Sequence, residues 1–395
     1  MQDPADISRH TAGKLFTRNF IIVFLAYFAF VAANHAFTPA LPIYLTRLGS
    51  TERQVGMLVG IMGVAALVSR LFVGGVLQKC SKKSAMIFGA ALFTLTFLAT
   101  VVLRPFWPFF AVRIFQGVAF ASLHTAAFAY CVSIVPPAYW GQGISYFMLA
   151  PNIAMALAAP LGIFIMNRYG FTVFFLTLAS LSLCSFFLPW NVKEQKTIVK
   201  PEDVPETRSA SFIEWKIITP AIANFLQMFT FGAIMAFVPL YAVQCGIANP
   251  GLFFTANAVV IMTGRMFGGK ILDTYNKEKM ILAFIFINMV TMIILSFSKT
   301  LPMFIFVGLL WGTGGAFFMP ASMAHAFAYA GSSNATAVGT FQAFTDLGMA
   351  LGPAIMGMII PFTGYPIMFF CLAFICLIDL AYFQFFVRRK RNTIS

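Results

Sequence analysis

Apolar residues in this chain come in long, almost unbroken runs separated by short polar breaks. The runs are far longer than the strands of a sheet and show no ten-residue alternation of the kind an outer-membrane barrel requires. A helix rises 1.5 Å per residue, so about 20 residues cross a hydrocarbon layer. Twelve such runs are predicted as helical spans: 19–45, 54–78, 84–103, 106–133, 141–167, 171–190, 213–243, 249–273, 279–298, 301–329, 336–361 and 364–387. Several exceed 25 residues and contain Pro39, Pro42, Pro160, Pro239, Pro320 or Pro353. Tilting or bending of those spans is expected.

Composition agrees with a polytopic, all-α membrane protein. Of the 395 residues, 60% are hydrophobic and 10% charged, where a soluble domain carries about 25% charge. The net charge of +14 raises the question of a nucleic-acid partner, but the positions of the charges answer it. Most Lys and Arg fall in one set of alternate loops, among them Arg18, Lys79, Lys82, Lys83, Lys277, Lys279 and the run Arg388–Arg391. Only Arg47, Arg53, Arg104, Arg168 and Lys299 fall in the other set. This asymmetry is a topology signal that puts both termini on the cytoplasmic side of a cell (inner) membrane. No nucleic-acid partner is expected.

The one substantial polar segment, 191–212, is charged and holds two prolines, Pro201 and Pro205. It reads as a cytoplasmic linker between an N-terminal half, 1–190, and a C-terminal half, 213–395. No GxxxxGK[ST] motif is present, which argues against ATP-driven work by this chain. The six Cys lack metal-ligand spacing, and no nucleophile–base pair is evident. No cofactor, metal or catalytic residue is expected, and the chain is not read as an enzyme.

The halves repeat each other. Arg70-Leu-Phe-Val-Gly-Gly-Val-Leu-Gln-Lys-Cys-Ser-Lys82 returns 195 residues later as Arg265-Met-Phe-Gly-Gly-Lys-Ile-Leu-Asp-Thr-Tyr-Asn-Lys277. Leu41-Pro42-Ile43-Tyr44 corresponds to Val238-Pro239-Leu240-Tyr241, Gln116-Gly117 to Trp311-Gly312, and Ala159-Pro160 to Gly352-Pro353. Four landmarks in one order at a near-constant offset indicate a six-plus-six duplication.

With these motifs the sequence resembles the major facilitator superfamily over about residues 19–390. The family loop G-x-x-x-D-[RK]-x-G-[RK]-[RK] appears as Gly74 to Lys83, with Gln78 at the acidic position and Ser81 at the second glycine. The second copy keeps the acid as Asp273. The family signature Arg-x-x-Gln-Gly is present as Arg113, Gln116 and Gly117. The pattern Gly-x-x-x-Gly-Pro is degraded before Pro160 but intact as Gly348, Gly352 and Pro353. Composition is similar to the bacterial drug- and metabolite-efflux branch. The resemblance implies two pseudo-symmetric six-helix bundles around a midplane cavity, working by alternating access. It implies a small-molecule substrate and protons as partners, a monomer in the bilayer, and proton-coupled export. Uptake or exchange of an organic acid is the alternative, and a non-transporting receptor on the same fold stays open.

Intramembrane polar residues are the candidates for chemistry, because they are costly there and normally face a cavity or a partner. Asp346, Arg113 and His35 are the proton-coupling candidates. Substrate-binding candidates are Asn34, His35, Thr38, Arg113, Gln116, His124, Asn152, Gln227, Trp311, His325 and Gln342, with Asn224 and Met319 beside them. Arg70, Gln78, Arg265 and Asp273 are the gating candidates, either closing a cytoplasmic gate or, for the two arginines, merely snorkelling. Asp379 is expected at the periphery, in a structural or lipid-boundary role.

Overall fold

A computed structural model describes residues 16–103, 106–135, 140–192, 214–274, 276–327 and 334–387. The described elements are all helical. In chain order they are α1 (Arg18–Arg47), α2 (Glu52–Lys79), α3 (Lys82–Val102), α4 (Phe106–Ile134), α5 (Trp140–Phe147) and α6 (Leu149–Phe187), followed by α7 (Ile218–Gln244), α8 (Gly251–Thr274), α9 (Lys277–Phe297), α10 (Leu301–Phe327) and α11 (Asn334–Tyr382). Among the described residues nine helical stretches are long and apolar enough to cross a membrane, and Gly251–Gly264 is a shorter apolar one. The chain is a multi-pass membrane protein. Most of the linker 191–212 lies outside the described residues, which resume at 214 after 192.

Two predicted pairs of spans appear as single helices broken by one glycine. Gly170 interrupts α6 at φ 85°, and Gly364 interrupts α11 at φ 74°. Gly49 and Gly246, at φ 85° and 80°, turn the chain after α1 and α7. Only glycine adopts such a φ without a steric penalty. The four glycines fall into two pairs at offsets near the repeat period, and all lie at the end of the molecule where α1 finishes, here called distal. At the opposite, proximal end the repeat is carried by capping. The Ser81 hydroxyl accepts from the Ser84 amide at 3.1 Å, and the Asn276 Oδ1 accepts from the Glu278 amide at 2.9 Å. These N-caps lie 195 positions apart and start α3 and α9 at corresponding positions.

Lipid is as apolar as leucine, so helices associate in a membrane by close packing and hydrogen bonds. Contacts between helices before and after the linker are made chiefly by α2 with α11, α6 with α8, and α1 with α7. Glycine lets the first two pairs approach. A Cβ on Gly56 would overlap the Pro353 carbonyl, one on Gly60 the Ala350 carbonyl, and one on Gly251 the Cα of Pro160. These glycine contacts lie in the distal half of the molecule.

Candidate functional site

Beyond the glycine crossing, α2 and α11 continue toward the proximal end and meet through a charged pair. Arg70 Nε lies 3.2 Å from Asp346 Oδ2, with side chains 17% and 9% exposed. Arg70 sits nine positions inside the end of α2, a depth of roughly 14 Å at helical rise. It does not snorkel to the surface, and its partner is an intramembrane acid rather than a loop. The expected gating arginine and the expected proton carrier are therefore one constellation. The side chains of Gln78, Arg265 and Asp273 lie outside the described residues.

The second oxygen of Asp346, Oδ1, accepts from Gln342 Nε2 at 3.3 Å, one turn away. The neighbouring Thr345 hydroxyl accepts from Asn224 Nδ2 on α7 at 2.7 Å, which holds α11 in register. Neither Arg70 Nε nor Asp346 Oδ2 meets hydrogen-bond geometry with any group. The pair is thus a charge contact without an aligned hydrogen bond, and it forgoes the added strength of a bidentate fork.

Beside it, the Tyr27 hydroxyl on α1 and His124 Nδ1 on α4 share a hydrogen bond of 2.8 Å. Tyr27 stacks on Phe147 at 4.8 Å and His124 on Phe120 at 5.3 Å between ring centroids. The charge of Arg70 acts on both Tyr27 and His124, which joins the aromatic pair to the ion pair electrostatically. Asn34 and Thr38 follow Tyr27 at helical spacing on one face of α1. The Thr38 hydroxyl donates to the Asn34 carbonyl at 2.8 Å. Asn34 Oδ1 is buried without a partner, and His35 is half-buried.

Other predicted site residues are placed elsewhere. Arg113 is 2% exposed and donates to the carbonyls of Leu58 and Val59 on α2 at 2.9 and 3.4 Å, and to Gln116 Oε1 at 2.8 Å. Its guanidinium lies over Phe37 at 5.5 Å. A charge expected to face a polar cavity is instead satisfied by backbone dipoles and ties α4 to α2. Gln227 was expected to line the cavity. It bridges α9 and the second part of α11, accepting from Asn288 Nδ2 at 2.8 Å and donating to Asp379 Oδ2 at 2.6 Å. Asp379, expected at the periphery, is fully buried, because the last helical stretch turns this carboxyl inward. Trp311 is 5% exposed and packs between Phe231 and Phe253 at 5.2 and 5.6 Å. Asn152 donates back to the Met148 carbonyl of its own helix at 2.8 Å. His325 is buried beside Phe383, 5.5 Å between ring centroids. Met319 is half-buried on α10.

Tyr27 and Asn288 were missed in the sequence. The repeat carries a signal for Asn288, since it lies 194 positions after Thr94, whose hydroxyl bonds Ser182 at 2.9 Å in the first half. Tyr27 stands seven positions before Asn34, two turns along the same face.

Every described hydrogen bond between the two halves is distal. Asn249 Nδ2 donates to the Pro160 carbonyl at 3.2 Å, the Thr255 hydroxyl to the Ala156 carbonyl at 2.8 Å, and Asn167 Nδ2 to the Ala248 carbonyl at 3.1 Å. Arg47 in turn donates to Asn167 Oδ1 at 2.9 Å. Among the described contacts, Arg70–Asp346 joins the two halves on the proximal side of the crossing.

Comparison with known proteins gives the family and the fold. The model of the Major Facilitator Superfamily matches residues 23–288 and 220–394. The chain is 22% identical over 365 residues to the staphylopine export protein of Staphylococcus aureus (strain Mu50 / ATCC 700699), covering 89% of this chain and 91% of that one. It is 24% identical over 396 residues to the multidrug resistance protein MdtG of Enterobacter lignolyticus (strain SCF1), covering 95% and 94%. The fold matches the crystal structure of the nucleoside transporter NupG with a TM-score of 0.72 at 13% identity, covering 93% and 98%. It matches a POT family transporter with a TM-score of 0.78 at 11% identity, covering 94% and 96%. This chain, a multi-pass membrane transporter and not an enzyme, belongs to the major facilitator superfamily.

Proposed function

We propose that the chain is a proton-coupled exporter of a small organic molecule, working by alternating access between two six-helix bundles. On this reading it acts as a monomer in the cell membrane, with its termini and its proximal end facing the cytoplasm. The observation that carries the reading is the Arg70–Asp346 pair. It joins helices from the two halves on the side of the crossing where they share no other described polar contact.

An unpaired charge at the centre of a membrane costs about 3 kcal/mol. Ionised Asp346 and Arg70 therefore hold each other, and α2 is held to α11. A proton on Asp346 cancels the attraction and frees the proximal ends to separate. A carboxyl that receives protons from one side and returns them to the other couples that movement to the proton gradient. The relatives named for staphylopine export and multidrug resistance support the outward direction.

The test uses inside-out vesicles and a ligand found by its effect on the melting point of the purified protein. Adding that ligand should dissipate an imposed pH gradient with the wild type and not with Asp346→Asn. A wild type that leaves the gradient intact, or an Asp346→Asn variant that still dissipates it, overturns the reading.

A further inference from the structure

The proton is one way to separate Arg70 from Asp346, and an exporter needs a second. Its substrate must open the same proximal mouth that a proton opens, and the two must not be aboard together. That requirement restricts the charge of the substrate, given what faces the pair.

The charged and titratable groups on the elements packed against α11 can be named: α9 carries Lys277, Glu278 and Lys279 at its proximal start, and Glu214, whose amide donates to Thr340 at 2.9 Å, precedes α7 together with Lys216. From α2 Asp346 faces Arg70. From α1 and α4 come Tyr27 and His124, within reach of the Arg70 charge. Helix α7 packs along α11 and carries no Asp, Glu, Lys, Arg or His. On α10 the one such residue is His325, beside Phe383. On α11 itself the other acid, Asp379, is committed to Gln227. Arg113, the other intramembrane arginine with a described side chain, is committed to α2 carbonyls and Gln116. In direct contact, the site offers one cation and one anion.

Three substrate charges can be compared. An anion bound to Arg70 releases the Asp346 carboxylate, which must then take a proton to remain in the membrane. Anion and proton would bind together, which is co-transport. A cation bound to Asp346 excludes the proton, and like the proton it leaves Arg70 without a counter-charge at a cost of about 3 kcal/mol, which only a ligand that also carries an anionic group removes. A zwitterion satisfies both groups, its carboxylate on Arg70 and its ammonium on Asp346. It demands an ionised Asp346 and so competes with the proton.

We infer that the site between Arg70 and Asp346 takes a zwitterionic, amino-acid-like group, its carboxylate on Arg70 and its ammonium on Asp346. The Asp346 side chain is more than nine-tenths buried, and its Oδ2 lacks a hydrogen-bond partner, so an ammonium finds an acceptor that the resting pair leaves unsatisfied. Empty and deprotonated, the carrier keeps its ion pair and its proximal mouth shut. A proton abolishes the direct contact, and a zwitterion seated between the two groups replaces the 3.2 Å contact and holds α2 and α11 apart by its own length, so each displaces the resting pair and excludes the other. This inference rests on the proposed export reading.

Three probes share one skeleton and separate the charges: L-phenylalanine, 3-phenylpropionate and 2-phenylethylamine. Their binding to the purified full-length protein is measured calorimetrically between pH 6 and 8. L-Phenylalanine should bind tightest and weaken as pH falls, by up to about tenfold per unit where one proton competes at one site. Asp346→Asn should abolish both that pH dependence and the preference over the acid. Arg70→Gln should shift the preference to the amine. The double variant Arg70→Gln/Asp346→Asn, which leaves no unpaired charge, should melt near the wild type and bind all three equally poorly. Binding of none of the three, equal or tighter binding of the acid or amine, or L-phenylalanine binding that strengthens as pH falls overturns the inference. Since these are equilibrium measurements, proton coupling in vesicles can survive that failure, and the two readings fall separately.

Discussion

Thr255 on α8 donates its hydroxyl to the carbonyl of Ala156 on α6 at 2.8 Å, and Pro160 explains why that carbonyl is available. A proline has no N–H for the residue four positions earlier, so the Ala156 carbonyl loses its helical donor and finds one on the facing helix. Asn249 adds a second bond to the Pro160 carbonyl one turn on. In Thr255→Val the shape is kept and the donor lost. The distal seal should weaken by about 1–2 kcal/mol, the scale of a hydrogen bond between membrane helices. Spin labels at the exposed positions Leu48 and Phe362, with the native cysteines replaced, report the outcome. A longer or broader distance distribution is expected, and more so for Gly251→Val, whose Cβ has no room against Pro160. An unchanged distribution in both would show that these contacts do not hold the distal ends together.

How much of this was legible beforehand depends on what a residue reports. The spans could be read because length and apolarity set them, and the duplication because landmark spacing survives divergence. The facing of individual polar groups could not be read. Gln227 and Asn224 lie one turn apart on α7, and both were expected to line a cavity. Asn224 reaches Thr345 while Gln227 reaches Asp379. On a helix apolar all round, no hydrophobic stripe indicates its rotation. Arg70 was singled out as a gating arginine at the cytoplasmic end of its span, and Asp346 as a costly acid at depth. Their pairing required the glycine crossing of α2 on α11, which only the fold supplies.

Arg113 stands as a structural brace between α4 and α2. Arg113→Met keeps the length of the side chain but loses three hydrogen bonds. Destabilisation of about 2–6 kcal/mol is expected at 0.6–2 kcal/mol for each such bond in a membrane. Arg113→Lys keeps the charge but not the fork, and should fall between the two in melting point. The reported quantity is the thermal midpoint in detergent at constant pH. A midpoint unchanged in Arg113→Met would move Arg113 from brace to ligand site.

Gly170 and Gly364 separate two cost terms usually mixed at a glycine. A Cβ on Gly170 meets nothing within 4 Å, and one on Gly364 meets only Pro366 Cδ at 3.9 Å, so space is not limiting. The backbone is, since a positive φ costs a residue with a Cβ about 1–2 kcal/mol. Gly170→Ala and Gly364→Ala should each lower the melting point by a similar small amount, and Gly170→Asn, better suited to positive φ, by less. Were Gly170→Ala neutral, the helix break would owe nothing to glycine.

The two intramembrane carboxyls have opposite surroundings, and this predicts opposite behaviour. Asp346 meets a cation across the halves without an aligned hydrogen bond. Asp379 lies within the C-terminal half, at the end of a chain in which Asn288 donates to Gln227 and Gln227 to Asp379. In Asp379→Asn the amide oxygen can still accept from Gln227, so stability should change little. Asp379→Leu leaves the Gln227 amide buried without an acceptor and should cost about 1–3 kcal/mol. Neither should alter the pH dependence of transport, because no described contact of Asp379 crosses between the halves. Transport against pH in vesicles, normalised to folded protein, decides the matter. A shifted profile in Asp379→Asn alongside an unshifted one in Asp346→Asn would exchange the roles of the two acids.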